Sequence, residues 1–126
     1  MCEGETRGPC GGRAFVVRHR IGSIRVDIAE LQRIIAVTYG PQDRARGTDA
    51  TFGWFVEEVG ELSRAIRRQG HAERVEEFTD VLAWLVSLAD LCDVDLATEV
   101  RRRYGEGCPQ CGGSPCTCGA VDPTRP

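Results

Sequence analysis

The sequence predicts an all-α fold: a helical hairpin core that homodimerisation completes into a four-helix bundle, followed by a short cysteine-rich tail. Three observations predict it. Two long segments carry apolar residues at the 3-4-3-4 spacing of a helix face. No stretch of useful length alternates apolar and polar residues as a strand would. The helical part, roughly 78 residues (27 to 104), buries too little to cover a central helix that is apolar on two sides, so a second copy is the simplest cover.

Residues 1–25 are rich in Gly and Arg and lack sustained periodicity, which predicts a mobile arm. The first helix opens at Asp27, which with Glu30 makes a capping box, and is expected to stop at Gly40-Pro41. Its apolar face is Ile28, Leu31, Ile34, Ile35 and Thr38. The polar run GPQDRARGTDA is rich in turn formers and is expected to be a loop. A second helix opens near Asp49 or Thr51 and ends at Gly70, with Phe52, Phe55, Val59, Leu62 and Ile66 as its stripe. The third spans about 71 to 93. It carries one apolar line of Val75, Phe78, Leu82, Leu85, Ala89 and Cys92, and a second of Val81, Trp84, Leu88 and Leu91, so it must be central. A short fourth helix starts after Asp95 and ends before Gly105. The chain thus divides into an arm (1–25), a helical domain (26–105) and a tail (106–126).

Composition narrows the function. With 28% charged and 41% hydrophobic residues among 126, this is one globular domain rather than a disordered chain. A net charge of −3 calls for neither nucleic acid nor an acidic membrane. All 16 basic residues are Arg, which excludes Lys Schiff-base chemistry and the Lys-dependent phosphate loop. The run Arg101-Arg102-Arg103 suits a helix end, where positive charge meets the dipole. Neither a signal peptide nor a membrane span is visible, so a cytoplasmic setting with reduced thiols is expected.

The chemistry lies in the acidic residues beside the apolar faces. On the second helix Glu58 and Glu61 fall on one line with Trp54 and Ala65, and Glu57 sits slightly further round. On the third, Glu73, Glu77, Asp80 and Trp84 form the matching line. In an antiparallel hairpin turning at Gly70, Glu58 and Glu61 precede the turn by about as many residues as Glu77 and Asp80 follow it. Four carboxylates then meet in one layer roughly 10 to 18 Å from the turn. They cannot all stay ionised without a counter-charge. His19 and His71 are not placed to supply one. Oxygen-bound Mg²⁺ or Mn²⁺ answers the need, and the absence of Glu-x-x-His pairs argues against a di-iron bundle. Acidic pairs at this spacing are also common on solvated helix faces; the matched heights and the apolar setting of Asp80 favour the site.

At these residues the sequence resembles the MazG-like nucleoside triphosphate pyrophosphohydrolases of the all-α NTP pyrophosphohydrolase superfamily. The shared motifs are Glu57-Glu58-Val59-Gly60-Glu61 and, after a spacer, Glu77-Phe78-Thr79-Asp80. The likeness covers about residues 27 to 104. It implies Mg²⁺-dependent hydrolysis of a nucleoside triphosphate to monophosphate and pyrophosphate by a dimer or higher oligomer, with nucleotide-pool housecleaning as a role. It further implies Glu58, Glu61, Glu77 and Asp80 as metal ligands, and Glu57 as an outer group or the base that orients water. Metal-assisted phosphoryl transfer needs positioning and charge stabilisation, so no nucleophilic side chain is required. Arg64, Arg67 or Arg68 are candidates for the outer phosphates and Trp54 for stacking on a base; the alternatives are a solvated helix end and a core aromatic. The family's Cys-Pro-Trp-Asp segment survives only as Pro41 and Asp43, with Gly40 and Gln42 in place of Cys and Trp. The Asn-x-Lys-Phe-like ending is replaced by Arg101-Arg102-Arg103-Tyr104.

The tail places Cys108, Cys111, Cys116 and Cys118 in a C-x2-C-x4-C-x-C pattern. Four thiolates suit a closed structural Zn²⁺; an iron–sulfur cluster and an unstructured or oxidised tail are the alternatives. Cys2 and Cys10 are assigned no role. Two rival functions stand beside the pyrophosphohydrolase. One is a non-catalytic helical adaptor whose zinc tail binds a partner. The other is a phosphoribosyl-ATP pyrophosphohydrolase-like enzyme.

Overall fold

A computed structural model describes residues 25–119. The expected arm, through residue 24, lies outside the described residues, as do Cys2, Cys10, His19 and the tail end 120–126. Among the described residues there are four helices and no strand: α1 (Ile28–Arg46), α2 (Thr48–Arg68), α3 (His71–Leu91) and α4 (Leu96–Tyr104). The all-α expectation holds.

Local signals set most of the boundaries. The Asp27 carboxylate accepts the Glu30 N–H at 2.8 Å and caps α1. Glu30 turns its own carboxylate to Arg33, at 2.6 and 2.9 Å, so only the Asp27 half of the expected capping box forms. Asp95 caps α4 in the same way, accepting from the Thr98 N–H at 3.1 Å and its hydroxyl at 2.7 Å. At the end of α3, Asp93 adopts φ 56°, while Val94 N–H reaches Ala89 O at 2.8 Å and Asp93 N–H reaches Asp90 O at 3.1 Å. This is a Schellman closure made with Asp instead of Gly. Gln32 on α1 then pins the α3–α4 turn, donating to Val94 O at 3.0 Å and accepting from Leu96 N–H at 2.7 Å.

One boundary differs from expectation. α1 does not stop at Gly40-Pro41 but runs through the proline to Arg46, and the loop expected over GPQDRARGTDA shrinks to Gly47. A proline inside a helix costs one backbone hydrogen bond and crowds the preceding turn. Here the next turn is anchored from inside: Asp43 is buried and holds Arg46 at 2.9 Å. Gly47, at φ 85°, donates to Asp43 O at 2.9 Å and accepts from Thr51 N–H at 3.1 Å, ending α1 and opening α2.

The architecture turns on α3. It pairs most extensively with α2 in a tight hairpin joined through Gln69 and Gly70; α1 lies across it, and α4 packs on α1. The inner line of α2 is Thr51, Glu58 and Ala65, two turns apart and all buried. Ala65, at 0% exposure, lets α3 approach closely. Of the two apolar lines of α3, Val81, Trp84, Leu88 and Leu91 turn inward. On the other line only Ala89 is buried; Val75, Phe78, Leu82 and Leu85 face outward, Phe78 at 57% exposure. The α2 stripe is open as well, with Phe52 at 55% and Val59 and Ile66 exposed, although Phe55 and Leu62 are half-buried. One chain alone therefore leaves the expected bundle face uncovered. No described helix is long and apolar enough to cross a membrane.

Two substitutions test this packing. Ala65→Leu should lower stability by about 1–3 kcal/mol through overpacking. Thr51 buries a hydroxyl with no partner; Thr51→Val should raise stability by about 1 kcal/mol. Urea denaturation midpoints measure both.

Candidate functional site

The hairpin brings acidic residues of α2 and α3 to one level. Glu58, Glu77 and Asp80 each place one carboxylate oxygen within 4.8 Å of the others. Glu58 lies deepest, at 7% exposure, because it occupies the middle of the inner line of α2. Glu77 and Asp80 are half-buried on the facing surface of α3, one turn apart.

Glu61 departs from the expected fourfold convergence. Its carboxylate lies outside that group and is paired with Arg64 on its own helix at 3.4 Å. It nevertheless stays near enough for its charge to act on both Glu58 and Glu77, while the cation one turn on offers the opposite charge. Arg64 is thereby engaged with Glu61 rather than free on the surface. Glu57, Arg67 and Arg68 are exposed on α2, and Glu73 is exposed on α3.

Electrostatics follow from this crowding. Burial, opposed by the Trp84 hydrogen bond and reinforced by the charges of Asp80, Glu61 and Glu77, raises the pKa of Glu58 above the ordinary carboxylate value. Glu77 is raised as well, first by burial and then by Glu61, Asp80 and Glu76, with Arg64 opposing. In both groups the surroundings favour the neutral carboxyl over the charged one more than water does.

Behind the carboxylates stands a support that sequence reasoning missed. Trp84 is buried and donates its indole N–H to Glu58 Oε1 at 3.2 Å. Arg46 sits over the Trp84 ring, 4.9 Å from its centroid, and is held in turn by Asp43. Trp54 stacks on Trp84 with centroids 6.1 Å apart and planes 12° from parallel, yet keeps 37% of its surface exposed. Trp54 is thus part of the packing and still presents area to solvent. The i, i+3 spacing of Asp43 and Arg46 was a helical signal, masked by the proline before it.

The donor set fits a hard divalent cation: carboxylate oxygens from two helices, one of them buried and oriented by a hydrogen bond. Nothing soft lies among them. The tail cysteines form a second and chemically opposite cluster. Cys108, Cys111, Cys116 and Cys118 have sulfurs all within 4.8 Å of one another. N–H groups of Thr117 and Gly113, with the Thr117 side chain, lower the Cys111 thiol to about 5, and the neighbouring sulfurs of Cys111, Cys116 and Cys108 raise Cys118 to about 11.

Comparison with known families gives one finding. Residues 46–103 match the model of the MazG nucleotide pyrophosphohydrolase domain. The match spans α2, α3 and all but the last residue of α4, with both acidic motifs inside it, and leaves most of α1 outside. The resemblance therefore holds over a shorter range than 27 to 104. Comparison with curated proteins gives no match.

The raised carboxyls make stability depend on pH. A carboxyl whose folded pKa exceeds its unfolded value contributes stability below the unfolded pKa, and loses it as pH rises through the folded one. In excess chelator, Glu58→Gln, which keeps an oxygen for Trp84, should be more stable than the parent at neutral pH. The gap should narrow as pH falls through the carboxylate range. Urea titrations across pH 4 to 8 measure it.

Proposed function

We propose that this MazG-type domain is a Mg²⁺- or Mn²⁺-dependent pyrophosphohydrolase that cleaves a nucleoside triphosphate to the monophosphate and pyrophosphate, serving in the cytoplasm to clear unwanted nucleotides. The observation that carries the reading is the meeting of Glu58, Glu77 and Asp80 across the α2–α3 hairpin, with Glu58 buried. In this reading the catalytic unit is the helical domain, 26–105.

Glu58, Glu77 and Asp80 would hold the metal, joined by Glu61 once its pairing with Arg64 is exchanged. The bound ion supplies charge neutralisation for the triphosphate and Lewis-acid activation for attack at the α-phosphorus. The chain's own residues do the remainder. Trp84 keeps one Glu58 oxygen directed by its N–H and leaves the other free. Arg46 and Asp43 keep the Trp84 ring in place, so the deepest carboxylate is oriented before substrate arrives. Glu57, the exposed first residue of the motif, orients or deprotonates the attacking water. Arg64, released from Glu61, and Arg68 would meet the outer phosphates, and the exposed part of Trp54 would stack on the base.

A second copy completes the unit. The outward stripes of α2 (Phe52, Val59, Ile66) and α3 (Val75, Phe78, Leu82, Leu85) are what two hairpins would bury in a four-helix bundle. That face is separate from the inner line that carries Glu58.

Pyrophosphate release, measured over standard and modified nucleotides and phosphoribosyl-ATP, should occur with Mg²⁺ or Mn²⁺ and cease with chelator. Glu61→Gln and Asp80→Asn should each lower turnover on the order of 100-fold or more. Full activity in either would remove its assigned role. Absence of turnover for every compound would favour the helical adaptor instead. Light scattering should show a dimer or higher oligomer, and Phe78→Asp should shift it to monomer.

A further inference from the structure

Residues 107–119 contain no Val, Leu, Ile, Met or aromatic side chain. A segment of that composition cannot build an apolar core of its own, and chains this short are ordinarily held by cross-links or metal. Its backbone is nevertheless closed on itself. Cys108 N–H donates to Gly113 O at 3.0 Å and Gly112 N–H to Cys108 O at 2.7 Å, folding the Cys108-to-Gly113 stretch into a knuckle. The turn depends on glycine: Gly107 and Gly112 have φ of 110° and 70°. A Cβ on Gly107 would lie 2.7 Å from Gly112 O, and one on Gly113 2.8 Å from Pro115 O.

Four sulfurs occupy the centre of this closed segment. Cys108 and Cys118 Sγ are 3.6 Å apart, and Cys111 and Cys116 Sγ 3.8 Å. A disulfide would require about 2.05 Å. The edge of a tetrahedron whose corners lie about 2.3 Å from a central zinc is about 3.8 Å, which matches both pairs. Backbone N–H groups point at sulfur, as they do where thiolate charge must be held: Thr117 to Cys111 and Cys118 to Cys116, each at 3.4 Å.

We propose that Cys108, Cys111, Cys116 and Cys118 form a structural Zn²⁺ site that takes the place of a core for the segment after α4. Soft thiolates select Zn²⁺ over the hard cations that carboxylates prefer, so this cluster is opposite in character to the carboxylate group of the α2–α3 hairpin. All four positions are thiolate, which leaves no open coordination place and no part in hydrolysis. The resulting excess of negative charge follows directly on the last turn of α4, where Arg101, Arg102 and Arg103 stand. A multinuclear iron–sulfur cluster would hold its cysteine sulfurs further apart, around bridging sulfides.

The test uses the full chain and reads metal, not turnover, so it is independent of the pyrophosphohydrolase reading. Protein purified from zinc-supplemented cells should contain about one Zn²⁺ per chain by elemental analysis. Cobalt exchange should give the strong visible bands of a tetrahedral thiolate site. Cys111→Ser and Cys118→Ser should lower zinc content at least tenfold while far-ultraviolet circular dichroism keeps the helical signal, and Cys92→Ser should keep the zinc. Zinc-free wild-type protein, bound iron with acid-labile sulfide, paired disulfides in the reduced preparation, or unchanged zinc in both tail variants would each overturn the proposal.

Discussion

Carboxylates gathered inside a protein repel one another, and the helices that carry them must be held together by something else. Two unit charges about 4 Å apart repel by about 4 kcal/mol at an effective dielectric near 20. That is a large share of a small domain's stability of about 5–15 kcal/mol. The α2–α3 hairpin absorbs this strain in two ways. Burial and mutual repulsion raise the pKa of Glu58 and Glu77, which favours their neutral forms. Glu61 is taken up by Arg64 outside the group. In the proposed function a divalent cation replaces both devices. The cost of the cluster without metal is then the source of its affinity for one.

The buried indole of Trp84 ties this electrostatic centre to the rest of the fold. Its N–H fixes Glu58, its ring accepts Arg46 and Trp54, and Arg46 is held by Asp43. The continuation of α1 past Pro41 has its structural consequence here. A helix ending at Gly40 would leave Asp43 and Arg46 in a loop, with no rigid element to carry them to the ring. Most of α1 lies outside the family match, yet its last turn buttresses the carboxylate at the centre of the matched region.

α3 divides its work between two faces. Its inward line packs against the chain and carries Trp84; its outward line, with the stripe of α2, stays apolar and open. The open apolar stripe and the acidic group therefore occupy different residues of the same two helices. After α4 the segment 107–119 gathers four sulfurs within 4.8 Å of one another on a backbone closed by its own hydrogen bonds.

The sequence by itself determined the elements whose signals are local: the helix caps at Asp27 and Asp95, the turn at Gln69-Gly70, the two-sided character of α3, and the common level of Glu58, Glu77 and Asp80. Helical rise and periodicity decide these whatever packs around them. Only the tertiary structure decided the others. Pro41 argued for a helix end, yet α1 runs on to Arg46, with Asp43 buried and paired with Arg46. Equal height placed Glu61 beside its neighbours, and its charge does act on Glu77, but its carboxylate pairs with Arg64 one turn away instead of joining the other three. The bond from Trp84 to Glu58 joins residues distant in the chain, and no periodicity announces a contact that exists only once α2 and α3 lie side by side.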